Sequence, residues 1–365
     1  MKVAYLLGSL NRGGTETLML DICQNLKKTD FDAMVIYRKG GVLEQEFLQS
    51  GIPIYKLNPG KNPLKYLWKL RKMIADSHVD VIHAQQPLDT LYARIACIGL
   101  NKKIFLTFHG FDFNISNVLI RLIIRLTDKN IFVSHYQREY YISKYHLKPA
   151  KQTVVYNGIN FGKFFLTDEK NADMELRKEL KIKDTTLLLG MVGNFNVGRD
   201  QLTVCRFLKL LREQNVDFHF VFIGKRVDCS PQRYDDCVSY CDENNLSRFV
   251  SFPGVRKDVP HILSQLDAFI YATDHDTFGI AVVEAIAAGV PVFVNDWEVM
   301  REISDDGKQV TLYKTKDQED LIEKFMLFLQ NKETEKMKAR ETAILVREKY
   351  SIEKHLKNLK LVYSL

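Results

Sequence analysis

The sequence predicts a soluble α/β protein of two doubly wound domains, each a parallel β-sheet between layers of helices, facing each other across a cleft. Its 365 residues exceed the length of one ordinary domain. Short apolar runs rich in β-branched residues alternate with amphipathic segments of helical length, a pattern typical of parallel sheets. This alternation lapses over residues 159–183, which are charged and aperiodic, and restarts at Thr185. We therefore expect two α/β series joined by a linker.

The first series contains candidate strands with helical patterns between them. Strands are predicted at residues 3–9, 31–37, 52–57, 79–85, 103–110, 130–135 and 152–157. Helices are predicted, among others, at residues 14–27, 63–76 and 87–98.

The second series has the same character. Strands are predicted at residues 185–193, 217–224, 248–253, 268–272 and 291–295, and helices at about 199–213, 279–288 and 317–331. The tail from Thr334 onward has a helical pattern, and Ser351 is a suitable N-cap for a last helix. We expect a first domain over residues 1–165, completed by a helix over 351–365, and a second domain over 166–350.

Composition narrows the class of protein. The formal charge of +7 without a basic block argues against a nucleic-acid tail and fits either anionic phosphates or an anionic membrane. Six scattered cysteines without CxxC or zinc spacing indicate reduced thiols and a cytoplasmic protein. The apolar run from Val3 to Leu10 is too short for a signal peptide, and no stretch reaches the roughly 18 apolar residues of a spanning helix.

The loop from Gly8 to Glu16 follows the first strand and opens the first helix. Its glycines would let a ligand approach the backbone, and a helix N-terminus offers N–H groups to an anion. The pattern is neither G-x-G-x-x-G nor a Walker loop, so a tight strand–helix turn and a phosphate site both stay open.

Two histidines stand at strand ends in the first domain, where parallel sheets bind ligands. His83 ends one strand, and His109, which is followed by Gly110, ends another. A single histidine at such a position is more often structural. A pair in one sheet favours a functional interpretation, with His109 as the better candidate.

Arg199 is the notable residue of the segment from Gly193 to Asp200, which links the first strand and first helix of the second domain. We expect it at a helix start, where an arginine can hold a diphosphate by charge and hydrogen bonds. A solvated surface arginine is the alternative.

The segment from Asp274 to Pro291 is the most specific of the chain. Asp276 lies in a polar loop after a strand, and Glu284 lies seven residues further, in the second turn of an apolar helix. A carboxylate on a buried helix is costly without a hydrogen-bonding partner, and ligand hydroxyls would provide one. The N–H groups of residues 277–280 would meet a phosphate. A structural alternative has Glu284 bonded by backbone or an arginine.

Asp274-His275-Asp276 also spells a D-x-D triplet, which binds metal in another glycosyltransferase architecture. Triplets of this kind arise often by chance. In this loop-to-helix setting, carboxylate–sugar contact is the preferred interpretation.

Taken together, these segments resemble the retaining glycosyltransferases of the GT-B fold, specifically family 4 (glycosyl transferases group 1). The resemblance covers nearly the whole chain. It is carried by the glycine-rich first loop, the strand ending in His83, and the segments 107–110, 133–134, 157–158 and 274–291. The last segment matches the family's Glu-x7-Glu signature.

The resemblance implies an acceptor-side first domain, a nucleotide-sugar-binding second domain and roles for individual residues. His109 would support the transferred sugar, Arg199 would contact the diphosphate, and Asp276 would bond sugar hydroxyls. Glu284 would hold the ribose. The remaining donor-binding residues that it implies are Gly13, Gly14, Asn194, Gly254, Val255, Thr277, Phe278, Gly279 and Ile280.

This chain departs from the family pattern at two positions. The first acid of the signature is Asp276 in place of Glu, which is one methylene shorter. Asn194 stands where the family has an arginine, so one of two expected positive charges on the diphosphate is missing. Arg12, Lys225 and Arg256 are the candidates to compensate.

The resemblance implies metal-independent, retaining transfer from a UDP- or GDP-sugar to a saccharide or lipid-linked acceptor in cell-surface polysaccharide or glycoconjugate synthesis, without a cofactor. A silent nucleotide-sugar-binding scaffold and an epimerase or phosphorylase on the same fold are the rivals. The basic segment from Lys61 to Lys72 either lies on an anionic membrane with Tyr66 and Trp68, or packs its leucines on the sheet.

Overall fold

The computed structural model describes residues 1–29, 31–113, 115–164 and 176–364. Residues 165–175, which include the centre of the predicted linker and the predicted boundary between domains, lie outside the described residues.

The strands, in chain order, are β1 (Lys2–Ser9), β2 (Asp32–Lys39), β3 (Ile54–Lys56), β4 (Val81–Ala84), β5 (Lys103–Phe108), β6 (Lys129–Phe132), β7 (Gln152–Val154), β8 (Leu187–Val192), β9 (Phe218–Ile223), β10 (Val250–Gly254), β11 (Ala268–Tyr271), β12 (Val292–Asn295) and β13 (Thr311–Tyr313).

The α-helices are α1 (Gly14–Asn25), α2 (Glu44–Gln49), α3 (Pro63–Asp76), α4 (Pro87–Ala96), α5 (Asn117–Leu126), α6 (His135–Tyr145), α7 (Leu176–Leu180), α8 (Gln201–Glu213), α9 (Gln232–Glu243), α10 (Val259–Gln265), α11 (Ile280–Ala287), α12 (Glu298–Ile303), α13 (Gln318–Gln330), α14 (Lys332–Lys349) and α15 (Ile352–Ser364).

The chain forms two compact units. Unit 1 contains residues 1–160 and 350–365, and unit 2 contains residues 161–349. Each unit holds one sheet, and all strand pairs are parallel, so the predicted class of two doubly wound α/β domains is confirmed. The sixth strand of unit 2, β13, was not predicted.

The sheet of unit 1 has the strand order β3-β2-β1-β4-β5-β6-β7. The order reverses between β1 and β4, and open parallel sheets bind ligands beyond the carboxyl ends of the strands at such a switch point. The loop after β1 and the residues after β4 therefore border the first candidate crevice, with Leu10 on one side and Gln85 on the other.

Helix α15 returns to unit 1 and closes its core. Ser351 caps it by accepting the Lys354 N–H at 3.1 Å, as its sequence predicts. The apolar side chains of α15 recur at helical spacing and are buried against α1 and the sheet. They are Ile352, Leu356, Leu359, Val362 and Tyr363. The last helix of the chain is thus part of the first core.

The sheet of unit 2 has the order β10-β9-β8-β11-β12-β13. Its switch point lies between β8 and β11. The loop that starts at Gly193 and the loop from Ala272 to Asp276 follow these two strands, so the sheet topology brings them to one edge. Helix α11, which follows the second loop, is buried along Val282, Val283 and Ala285–Ala287.

Asp267 joins the two ends of unit 2 through ionic contacts. Its carboxylate accepts from Arg177 of α7 at 2.8 Å and from Lys332 and Lys336 of α14 at 2.9 and 2.8 Å. It also accepts the Leu188 N–H at 2.9 Å. Burial by itself would raise the pKa of this carboxyl, but the hydrogen bonds from Lys336, Leu188 and Lys332 hold its pKa at about 2. The side chain therefore stays ionised in the folded protein.

We predict that Asp267→Asn destabilises the protein by roughly 2 kcal/mol at pH 7, since it leaves three cations without their partner. The folded pKa lies below the ordinary value of 3.8, so this stabilisation is present above pH 4 and is lost as the pH falls from 4 towards 2. Urea unfolding followed by circular dichroism at pH 7 and pH 3 measures both effects.

The control is Asp305→Asn, which removes an exposed pair with Lys308 and should change the free energy of unfolding by less than about 0.5 kcal/mol. Equal effects of the two substitutions at pH 7 would contradict the role given to Asp267.

Candidate functional site

The loop after β1 shapes the first half of the candidate site. Gly13 is the N-cap of α1, has an extended backbone and makes no side-chain cap, and Gly14 begins the helix. The N-cap residue therefore supplies no side chain to the N–H groups of the first turn. The loop needs a second glycine that sequence reasoning missed: a Cβ at Gly41 would lie 2.3 Å from the backbone of Leu10. Only glycine at position 41 leaves room for the backbone of Leu10.

His109 follows β5 and is held by Gln85, which follows β4. Its Nε2 lies 2.8 Å from the amide oxygen of Gln85. Because an amide oxygen only accepts, this contact places the ring proton of His109 on Nε2. Gln85 was not predicted, since glutamine at a strand end carries no sequence signal of its own.

His83 has a structural role in this unit. It is buried, with Nδ1 2.6 Å from the Tyr363 hydroxyl and Nε2 2.7 Å from Thr107 Oγ1. The Tyr363 hydroxyl donates to Tyr5 at 3.2 Å, so it accepts from His83, and both ring nitrogens are satisfied in the neutral form. The hypothesis that both strand-end histidines face a ligand is therefore wrong for His83, because α15 covers it.

A small cavity lies between these histidines and α15. It is lined by His83, His109 and His355 among other residues. Its wall also contains the buried Gln85 Nε2 and Asn157 Oδ1, for which no hydrogen-bond partner is found within the described ranges. Two unpartnered polar atoms of opposite type fit a single ordered water.

In unit 2 the two loops at the switch point are joined by an ion pair. Arg199 Nη1 contacts Asp276 Oδ1 and lies 3.3 Å from Thr273 Oγ1. The hydroxyl of the buried Tyr271 donates to Asp276 Oδ2 at 2.7 Å, and its ring lies 5.3 Å beneath the Arg199 guanidinium. The first acid of the signature is thus held at both oxygens. Tyr271 was not predicted, because it looked like one more apolar residue of a strand.

Arg199 was expected at the start of a helix, but it lies two residues before the first residue of α8. Asp200 is the N-cap of α8, and Arg199 lies before it in an isolated antiparallel bridge with Thr273. Its side chain lies between the Tyr271 ring and Gly193, where a Cβ would be 3.4 Å from Arg199 Nε. The aromatic face and the missing side chain together fix the guanidinium.

The loop that carries Asp276 is locked from the neighbouring strand. Asn295, at the end of β12, accepts the Thr273 N–H at 2.8 Å and donates to the Thr273 carbonyl at 2.7 Å. Trp297 donates its indole N–H to the Asp276 carbonyl at 3.0 Å. The position of Asp276 is therefore set before any ligand arrives.

The segment from Thr277 to Ile280 turns directly into α11. Gly279 is the N-cap with φ of +80°, and a Cβ there would meet Met300 Cε at 2.7 Å. Phe278 is buried beneath this turn. Glu284 lies in the second turn of α11 and is half-buried, with further contacts of its own. The predicted loop and helix positions of Asp276 and Glu284 are confirmed.

The other predicted donor residues lie at the same edge of the sheet. Asn194 Oδ1 accepts the Lys225 N–H at 2.9 Å, which ties the loop after β8 to the end of β9. Gly254 ends β10 with φ of +74° and open space beside it, and Val255 is exposed. The topology of unit 2 thus brings Asn194, Arg199 and the 276–284 segment to one edge. Gly13, Gly14 and His109 belong to unit 1.

Comparison with known families identifies both halves of the chain. Residues 12–163 match the model of glycosyltransferase family 4. Residues 173–344 match the model of glycosyl transferases group 1.

Two bacterial enzymes are similar along most of their length. One is the UDP-Gal:alpha-D-GlcNAc-diphosphoundecaprenol alpha-1,3-galactosyltransferase of Escherichia coli, 23% identical over 81% of this chain and 79% of that protein. Another is the N,N'-diacetylbacillosaminyl-diphospho-undecaprenol alpha-1,3-N-acetylgalactosaminyltransferase of Campylobacter jejuni, 27% identical over 73% of this chain and 72% of that protein.

Among solved structures, Anabaena HepE in complex with UDP and glucose superposes with a TM-score of 0.86, at 16% identity and with all of both chains covered. A glycosyltransferase from Rickettsia africae superposes with a TM-score of 0.85, at 18% identity over 99% of this chain and 97% of that one. These likenesses show the GT-B fold.

Two further features are absent from the residues that the structure describes. No helix there has the length and apolar character that crossing a bilayer requires. No group of three or more His, Cys, Asp or Glu side chains there is placed to hold a metal ion.

We predict that the buried histidines stay neutral well below pH 6.5. Burial lowers the pKa of His83 and His109 to about 3 and that of His355 to about 4. In the unfolded chain these histidines bind protons near pH 6.5, whereas in the folded chain they do not. The free energy of unfolding therefore falls as the pH drops below 6.5. At pH 5 the loss is about 2 kcal/mol for each of His83 and His355.

NMR of the imidazole rings between pH 7.5 and 5 tests the protonation state, and urea unfolding over the same range tests the stability. A ring of His83 or His355 that titrates near pH 6.5 in the folded protein would contradict the prediction.

Proposed function

Because this chain belongs to the group 1 glycosyltransferases of family 4, we propose that it transfers a sugar from a UDP- or GDP-sugar to an acceptor hydroxyl with retention of configuration and without a metal ion. The observation that carries this proposal is the convergence of Arg199, Asp276 and the N-terminus of α11 at the switch point of unit 2. The product would enter cell-surface polysaccharide or glycoconjugate synthesis.

The substrates in the names of the similar proteins support the proposed donor and acceptor. The galactosyltransferase of Escherichia coli uses a UDP-sugar and a diphosphoundecaprenol-linked acceptor, and HepE binds UDP and glucose. We infer a nucleoside diphosphate sugar as donor and a saccharide on a lipid diphosphate as acceptor, reached from the cytoplasm.

Charge stabilisation of the departing diphosphate is the main task of unit 2 in this proposal. Arg199 and the N–H groups of Phe278, Gly279 and Ile280 face the negative charge that develops as the bond between sugar and phosphate breaks. Glu284 bonds the ribose hydroxyls. Asp276 has a partner on each carboxylate oxygen, but each oxygen retains a further lone pair for a sugar hydroxyl.

Retention follows from a reaction on one face of the sugar. The acceptor hydroxyl attacks the anomeric carbon on the side from which the diphosphate leaves, and a diphosphate oxygen takes the hydroxyl proton. No protein nucleophile takes part, and His109 supports the transferred sugar. Positioning and preorganised charge supply the acceleration.

The acids of the D-x-D triplet support transfer without a metal. Asp274 pairs with Lys316 at 3.0 Å, and Asp276 pairs with Arg199. The two carboxylates therefore face different cations rather than one shared centre.

We predict that Arg199→Ala and Glu284→Ala each lower the transfer rate by about 100-fold or more, since each removes a preorganised contact to the donor. Isothermal titration with UDP, GDP and their sugar conjugates, with and without EDTA, should show EDTA-insensitive binding of one nucleotide class that Glu284→Ala weakens.

The controls are the exposed residues Arg301→Ala and Glu333→Ala of the same unit, which should leave transfer unchanged. Near-normal turnover of Arg199→Ala would overturn the site. Binding without turnover on any acceptor would favour a silent scaffold, and release of free sugar or dependence on phosphate would indicate an epimerase or phosphorylase.

A second proposal is that unit 1 binds a membrane surface, because a lipid-linked acceptor would lie in a membrane. Helices α3, α4 and α5 lie on the face of the unit 1 sheet opposite to α1 and α15, because right-handed crossovers in opposite directions along the sheet cover opposite faces. Arg71 donates to the carbonyls of Ala96 and Ile98, and Arg94 donates to that of Leu126. These bonds hold the three helices side by side.

The two faces differ in charge. The helices α3–α5 contain seven basic and two acidic residues, and one of the acids, Asp89, is buried against Arg38. The α-helices of the other face, α1, α2 and α15, contain three basic and five acidic residues. The basic face thus suits an anionic surface.

Apolar side chains are exposed among these basic residues, with Leu64 at 76% and Trp68 at 61% exposure on α3. Others follow on the neighbouring helices, namely Ile95, Ile98, Val118 and Leu122. The alternative in which the leucines of α3 pack on the sheet is therefore wrong for Leu64, and the expected surface position of Tyr66 is wrong because Tyr66 is buried. Basic and apolar side chains on one face favour the surface of an anionic bilayer.

We predict that the protein binds vesicles of phosphatidylcholine with 30% phosphatidylglycerol, and that Trp68→Ala combined with Lys69→Gln and Lys72→Gln lowers binding tenfold or more, since each basic residue contributes about 1 kcal/mol at such a surface. Cosedimentation measures the bound fraction.

The matched control on the other face is Lys354→Gln, Lys357→Gln and Leu361→Ala, which changes charge and apolar area in the same way. Equal losses in both variants, or no binding of the unmodified protein to these vesicles, would overturn the membrane proposal.

A further inference from the structure

The charge balance of the donor site in unit 2 is incomplete. A nucleotide sugar carries two negative charges on its diphosphate, and Arg199 faces that position with its own charge already opposed by Asp276. Position 194, where the resemblance implies an arginine, holds Asn194. If the proposed function holds, a second cation is needed at this edge of the sheet.

Of the basic residues that the sequence suggests as a replacement, two are committed elsewhere. Arg12 pairs with Glu46 at 2.9 Å in unit 1. Arg256 pairs with Asp258 at 2.8 Å and with Glu179 at 2.6 Å. Arg256 cannot move its guanidinium to a ligand without leaving two carboxylates unpaired, and Arg12 belongs to the loop after β1 of unit 1.

Lys225 is the exception. Its ammonium has one ion pair within the described ranges, to Asp228 at a long 3.7 Å, and the two side chains are 58% and 88% exposed. Such a pair in high dielectric is worth little and is readily exchanged for a stronger anion.

The backbone of Lys225 is fixed against the donor loop. Its N–H donates to Asn194 Oδ1 at 2.9 Å, and its carbonyl accepts the Phe195 N–H at 3.0 Å. A Cβ at Gly224 would lie 2.1 Å from the Gly193 carbonyl oxygen, so only glycine lets the two loops approach this closely. Arg199 packs on the same Gly193. The donor loop after β8 therefore has Arg199 on one side and Lys225 on the other.

We propose that Lys225 supplies the second positive charge for the donor diphosphate, and that Asn194 holds the lysine backbone instead of providing the charge itself. This proposal rests on the proposed function and deepens it. The positive charge has moved from the end of β8 to the end of β9, one strand away. A lysine suits this task because its ammonium is a compact charge on a flexible stem that reaches a phosphate without a fixed fork geometry.

The test compares nucleoside diphosphate with nucleoside binding in Lys225→Gln. We expect the affinity for UDP or GDP, whichever the unmodified protein binds, to fall about tenfold at low salt. The affinity for the parent nucleoside should stay unchanged. The difference between the proteins should shrink as sodium chloride rises, because the lost contact is ionic and exposed.

The matched control is Arg226→Gln at the next residue. Arg226 is equally basic and exposed but is held by Asp235 through two bonds at 2.8 and 2.7 Å, so it should leave diphosphate affinity unchanged. A rescue variant, Asn194→Arg with Lys225→Gln, returns a charge to the loop after β8 and should recover most of the lost affinity. Thermal melting confirms that each variant is folded.

The outcomes separate this proposal from the one on which it rests. An unmodified protein that binds no nucleoside diphosphate would overturn the proposed function. Unchanged diphosphate affinity in Lys225→Gln, or equal losses in Lys225→Gln and Arg226→Gln, would overturn the role of Lys225 while the proposed function stands.

Discussion

The ion pair between Arg199 and Asp276 is the interaction on which the candidate site of unit 2 depends. Removing two charges from water is costly, and the cost is offset only when the remaining hydrogen-bonding groups are satisfied. Here Tyr271 donates to the second carboxylate oxygen, and its ring lies beneath the guanidinium. The pair joins the ends of β8 and β11, so the two loops of the switch point form one preorganised surface.

The preorganisation extends beyond the pair into the sheet. Asn295 of β12 holds the backbone of Thr273, and Trp297 holds the Asp276 carbonyl. None of these residues needs to touch a substrate to matter, because electrostatic stabilisation is effective only when its dipoles are already in place. Gly224 serves the same end, since a Cβ there would lie 2.1 Å from the Gly193 carbonyl oxygen and would keep the two loops apart.

Unit 1 buries several neutral polar groups where α15 meets the sheet. Helix α15 brings Tyr363 to His83 and His355 to the Tyr156 carbonyl, so the end of the chain completes the polar interior of the first domain. Its opposite face carries exposed basic and apolar side chains. The same unit thus combines buried neutral histidines next to α15 with a basic outer layer of helices on its other face.

The amino-acid sequence by itself determined the fold class, the strands of unit 1 and the loops that carry the candidate site. Apolar periodicity is a local property of the chain. The carboxyl ends of parallel strands meet at one edge of the sheet whatever the order of the strands in it. The placing of Asp276 in a loop and Glu284 in the second turn of a helix followed from spacing alone.

Only the tertiary structure decided which side chains meet. Arg199 and Asp276 are 77 residues apart, and His83 and Tyr363 are 280 residues apart. Their contacts depend on strand order and on the return of α15, neither of which a local pattern encodes. For the same reason the sequence could not show that Tyr66 is buried while Leu64 is exposed, since the face that a helix buries depends on its neighbours.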